Sequence, residues 1–171
     1  MQIHDRGEPL SEQSLQELEE KLGVRLPEPY RRFLQEYNGG RPEPDILDIA
    51  GAPFVGADVH ELFSVGSECK SGDLLWNKEI FSDRIADHLL PIGDDSGGSL
   101  YGIVTKGEER GYVYYFDYYA SWEPYFVASD FDSFLQQLRS FTPKELAEIK
   151  ELAAANAAAN AEVIDPDKPV E

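Results

Sequence analysis

Cysteine is nearly absent from this 171-residue chain: Cys69 stands alone, and a single thiol excludes an internal disulfide framework. Cationic side chains are scarce as well. Fifteen Lys and Arg stand against 33 Asp and Glu, a formal net charge of −18. Such a surface repels phosphate backbones and anionic membranes, so nucleic-acid binding is disfavoured. No apolar run is long enough to cross a bilayer. The opening residues, MQIHDRGEPL, lack the charged and apolar regions of a signal peptide. Read with the lone thiol, this places the expected protein in the cytoplasm. The usual signatures of cofactor chemistry are missing too. His4, His60 and His88 have no metal-ligand spacing. The glycines form neither a Walker loop nor a dinucleotide fingerprint, and Gly-x-Ser-x-Gly does not occur. No metal, no cofactor and no catalytic set is therefore expected.

What is present describes a folded domain. The chain is 42% hydrophobic and 28% charged, the balance of a globular protein, and its length favours one core. The acidic excess serves solubility first. It also attracts a cationic partner, with an encounter rate that falls as salt rises.

The periodicity begins with a helical hairpin. Ser11 caps a helix whose Leu15, Leu18 and Leu22 share a face, with Leu10 placed to staple it and Gly23 to stop it. Pro29 opens a second helix carrying Tyr30, Phe33, Leu34 and Tyr37, closed by Asn38-Gly39-Gly40. The Pro- and Gly-rich stretch RPEPDILDIAGAPF reads as loop, with one extended piece at Ile46–Ile49. Asp58–Val65 reads as strand and Leu74–Ile85 as helix. Four short apolar runs follow: Leu89–Ile92, Leu100–Thr105, Tyr112–Asp117 and Tyr125–Ala128. The turns Gly93–Ser99, Lys106–Gly111 and Tyr118–Pro124 separate them, which predicts an antiparallel meander. Ser129 or Asp130 caps a helix bearing Phe131, Phe134, Leu135 and Leu138. Thr142-Pro143-Lys144-Glu145 starts another, which runs into the alanine-rich AAANAAANA. The expected fold is α+β, with an N-terminal helical hairpin and C-terminal helices packed on a curved antiparallel sheet.

One turn carries the string Asp-Ser-Gly-Gly, Asp95 to Gly98, familiar around the nucleophile of trypsin-like proteases. Here Asp94 precedes it and Ser99 follows, where that family has Gly and Pro. A triad is defined by geometry rather than by four letters. The chain is short for a double barrel and begins and ends in helices. Asp94 and Asp95 could also ligate a hard cation, but the spaced acids of a calcium loop are absent. The turn reading outweighs both, because Asp bonds readily to nearby backbone N–H groups. Of the aromatic residues, Tyr118, Tyr119 and Trp122 lie in a predicted turn and are the best exposed candidates for contacting a partner.

The order of these pieces resembles the SUKH superfamily. Leu18-Glu19, Leu22-Gly23, Leu26-Pro27, Tyr30, Phe33-Leu34 and Asn38-Gly39-Gly40 reproduce its opening. LLPIGDDSGGSLYGI at 89–103, GYVYYFD at 111–117 and VASDFDSFLQQL at 127–138 resemble its middle and close. The resemblance implies a domain over 1–141; the residues outside it read as a helical extension at 142–162 and a disordered tail at 163–171. It implies N-terminal helices packed on a curved antiparallel sheet and no catalytic residues. For function it implies a protein-binding module, not an enzyme. The first reading is a bacterial immunity protein that neutralises a toxin, such as a basic nuclease. The alternative is a regulatory scaffold related to cell-wall assembly. The expected partner-binding residues are Asp94 and Asp95, as exposed acids, with Tyr118, Tyr119, Trp122 and Glu123.

Overall fold

Ser11 starts the first helix as its sequence dictates. Its side chain accepts the Ser14 N–H, and α1 runs Glu12–Leu22 until Gly23, at φ 64°, ends it in the left-handed region. The second helix, α2 (Glu28–Glu36), has Pro29 in its first turn and buries Tyr30, Arg31, Phe33 and Leu34. The computed structural model describes residues 1–54 and 56–163. They fall into two compact units, Met1–Arg139 and the residues from Ser140 onward.

The first unit is built on a five-stranded antiparallel meander. Its strands β5 (Glu61–Leu62), β6 (Leu89–Asp94), β7 (Leu100–Val104), β8 (Val113–Asp117) and β9 (Glu123–Ala128) lie in chain order. Register shifts between Pro91 and Gly93 and between Val113 and Tyr114 are the irregularities that bend and twist such a sheet. The helices α2 and α4 (Phe131–Gln136) touch each other, and α4 touches β9. Aromatic rings fill the layer between. Tyr30 lies edge-on to Phe131 at 4.9 Å, Phe134 meets Tyr101 at 5.5 Å, and Tyr101 meets Tyr115 at 5.3 Å. Such tilted pairs add about 1 kcal/mol each to the burial of the rings.

Two short ribbons complete this unit: β1 (Gln2–His4) with β2 (Arg41–Glu43), and β3 (Ile46–Leu47) with β4 (Ala57–Asp58). Three expectations change here. The 41–54 stretch is not simply loop, because β2 finds its partner some 40 residues away, a pairing no local pattern announces. The expected strand at 58–65 is two strands in two sheets. Val59 and His60 turn the chain between them by donating to Asp45 O and Asp94 O. The helix expected over 74–85 is α3 (Leu74–Ile80), capped by Asp73. At Phe81 it gives way to turns tied down by Lys78, whose Nζ donates to Asp87 O and Leu89 O.

Two buried polar side chains fasten these elements. Asn38, 2% exposed and at φ 48°, donates to Glu8 O and Val65 O and accepts the Val65 N–H. It thereby joins the N-terminal segment, the end of α2 and the chain beyond β5. Arg31, 6% exposed, pairs with Glu12 at 2.7 Å. Its Nε lies 3.1 Å from Glu19 Oε1, outside hydrogen-bond alignment. That same oxygen accepts the Leu26 N–H at 2.8 Å.

Among its described residues the second unit holds one helix, α5 (Pro143–Val163). Thr142 and Glu145 cap it reciprocally, Glu145 N–H to Thr142 Oγ1 and Thr142 N–H to Glu145 Oε2. Leu146, Ile149 and Leu152 on it are exposed. Val163, expected to begin the tail, is its last residue, and the rest of that expected tail lies outside the described residues.

Candidate partner-binding site

Two hairpin turns stand at the same end of the sheet, because β6–β7 and β8–β9 are both closed there. The first contains the Asp-Ser-Gly-Gly string, and Asp95 organises it. Its Oδ1 accepts the N–H groups of Gly97 and Ser99, each at 2.8 Å, and its Oδ2 accepts the Tyr115 hydroxyl at 2.7 Å. Asp95 is 9% exposed. The expectation of an exposed acid is corrected: the favourable partner of this carboxylate is the backbone of its own turn, so it folds inward. Ser96 is likewise occupied. Both its N–H and its hydroxyl donate to the Asp58 carboxylate of β4, and Tyr101 OH donates to Asp58 O. The serine therefore ties β4 to the hairpin. Among the described residues no histidine hydrogen-bonds it.

Asp94, at the end of β6, is the contrasting case. It is half-buried, so this second exposed acid is also corrected. Its Oδ1 is out of solvent and accepts no hydrogen bond among the described residues. Burial pushes its carboxyl from 3.8 up to about 7. His60 opposes the shift, and the charges of Glu61, Asp95 and Asp58 reinforce it. Among the described residues, no group of three His, Cys, Asp or Glu converges to hold a metal ion.

The second turn carries the aromatic candidates. Asp117, itself buried, accepts the N–H groups of Ala120 and Trp122 at its carbonyl and that of Tyr119 at Oδ1. Tyr118 N–H donates to Ser99 Oγ at 3.2 Å, which locks this turn to the first. Ser121 and Trp122 hold φ of 55° and 66°. Non-glycine residues there cost about 1 kcal/mol or more each, so the hydrogen bonds at Asp117 maintain a strained conformation.

The result is an aromatic file. Trp122 packs on Phe81 at 5.5 Å and on Tyr118 at 5.5 Å, and Tyr118 meets Tyr119 at 5.2 Å, nearly perpendicular. Arg84 stacks on the inner end, its guanidinium 5.4 Å from the Phe81 ring and 5.6 Å from that of Trp122. The outer end is open: Tyr118 is 51% and Tyr119 80% exposed. A methyl placed on Gly97 would lie 3.6 Å from the Tyr119 ring and 3.3 Å from Asp95 Oδ1. The tyrosine thus sits directly beside the acidic turn. Glu123, exposed, begins β9 just beyond. The structure brings all six sequence candidates to one end of the sheet. Asp94 and Asp95 face inward there, while Tyr118, Tyr119 and Glu123 face out.

Sequence reasoning did not find Asp58, Phe81 or Arg84. Asp58 lies on a strand placed by its pairing with Ile46, Phe81 and Arg84 lie in the turns that follow α3, and no local signal marks them. Among the described residues, concavities lie elsewhere on the surface. A groove of about 630 Å³ beside α1 is lined by Glu12, Glu19 and Arg31. Glu12 and Glu19 there are already engaged with the chain's own Arg31.

No described helix is long and apolar enough to cross a membrane. The pattern of the SMI1 / KNR4 family (SUKH-1) matches residues 9–137. No curated protein matches the chain.

Proposed function

The chain belongs to the SMI1 / KNR4 family (SUKH-1), whose members include toxin-immunity proteins and cell-wall regulators, and on that premise we propose that it is an immunity protein. In this reading it is not an enzyme. It binds a cognate toxin of basic surface, such as a nuclease, and blocks it. The observation that carries the choice between the family's two roles is the net charge of −18. A nuclease must hold phosphates and so presents cations. An acidic inhibitor is steered to that face and competes with the nucleic acid.

The end of the sheet with the two turns is the proposed contact. Tyr118, Tyr119 and Glu123 supply exposed aromatic area and charge, and aromatic residues are enriched at the energetic centres of interfaces. Trp122 backs Tyr118, Asp95 holds the first turn in shape, and Asp94 adds a half-buried carboxyl beside it.

Co-expression with the toxin encoded beside its gene tests the reading. Restored growth is the expected result. Continued killing at matched protein levels removes the immunity role and favours the regulatory alternative. For the purified pair, the association rate should fall steeply between low and physiological salt. A rate indifferent to salt contradicts electrostatic steering.

A further inference from the structure

We propose that Tyr118 and Tyr119 form a cradle for an arginine side chain of the partner protein. The inference rests on the binding reading above and gives the contact its chemistry. Four observations carry it. The two rings are the exposed end of a continuous aromatic file, perpendicular to one another at 5.2 Å, so that they offer a two-walled corner rather than one flat face. The chain already places a guanidinium on the other end of that file, where Arg84 lies over Phe81 and Trp122. The inner rings are thereby used, and the open faces are those of the tyrosines. The turn that presents them is held at positive φ by Ser121 and Trp122, maintained by the bonds to Asp117 and Ser99. A strained segment that ends in exposed aromatics fits a contact surface better than a core requirement. Finally, the exposed carboxylate of Glu123 follows the turn, in a protein of net charge −18. A cation is the complementary occupant.

Arginine fits this corner better than lysine. Its planar guanidinium stacks on a ring face while its N–H groups stay free to reach a carboxylate. Lysine offers the same charge without the plane.

Two peptides of equal charge separate these terms. Hexa-arginine and hexalysine are titrated calorimetrically into the full-length protein at low salt. The expected result is tighter binding of hexa-arginine by roughly fivefold, the scale of one exposed cation–π contact. In Tyr118→Leu/Tyr119→Leu the preference should fall to about parity, with hexalysine binding unchanged. Tyr119→Ala, at the more exposed ring, should lose part of it and guards against a folding defect in the double variant. Equal affinities in the wild type, or a preference that survives both variants, overturn the cradle. Because no toxin takes part, failure here leaves the immunity reading to its own test.

Discussion

Asp94 and Asp95 are neighbours in sequence and opposites in chemistry. Asp95 satisfies two donors within its own hairpin and a third, the Tyr115 hydroxyl, on β8, whereas Asp94 buries an oxygen that accepts no hydrogen bond among the described residues. Their letters are the same, so the difference was not legible until the turn fixed which carboxylate points at backbone N–H groups. The consequence is a pH dependence of stability. Asp94 ionises near 3.8 in an unfolded chain and at about 7 in the fold. Between those values the native state binds the extra proton, so this residue's contribution is complete below the lower value and is lost as pH rises through about 7. Asp94→Asn should therefore gain about 2 kcal/mol above pH 7, a figure discounted for the part of the carboxyl that water reaches. It should also flatten the decline from pH 4 to 7, as followed by urea unfolding. A variant with the same slope as the wild type would place the titration elsewhere. Ser96→Ala makes the complementary point. It removes one hydroxyl bond to Asp58 but keeps the N–H bond, and should cost about 1 kcal/mol while leaving partner binding intact. Lost binding with unimpaired stability would instead give the hydroxyl a direct role.

At the scale of elements, the caps and stripes proved the most legible features. Ser11, Gly23 and the Thr142–Glu145 box mark helix ends through interactions within a few residues, and the meander was readable because its turns are short. The ribbons β1–β2 and β3–β4 were not, since Arg41–Glu43 includes a proline and pairs with residues near position 3. Asp58 entered the site by the same route. Gly39 shows how tightly such long-range junctions close. Its φ is 85°, and an added Cβ would lie 2.5 Å from Ser64 Oγ and 2.7 Å from Leu62 O. Gly39→Ala should thus combine backbone strain with a clash against β5, costing about 2–3 kcal/mol, measurable as a lowered urea midpoint. An unchanged midpoint would mean that this junction is loosely packed.

For the molecule as a whole, composition spoke earlier than any motif. The excess of 33 acidic over 15 basic side chains disfavours phosphate partners before any fold is considered, and the ordered pieces from α1 to α4 matched the family found over residues 9–137. What composition leaves open is where the charge acts. The structure places two exposed tyrosines, Tyr118 and Tyr119, and one exposed acid, Glu123, at one end of the sheet, beside a turn held in strain. The most direct test of that assignment is toxin neutralisation by three proteins at matched expression: the wild type, Tyr119→Ala/Glu123→Lys, and Glu17→Lys on α1, which changes charge by the same amount. The wild type and Glu17→Lys should protect cells while Tyr119→Ala/Glu123→Lys, still folded by circular dichroism, should not. Full protection by Tyr119→Ala/Glu123→Lys would contradict that assignment.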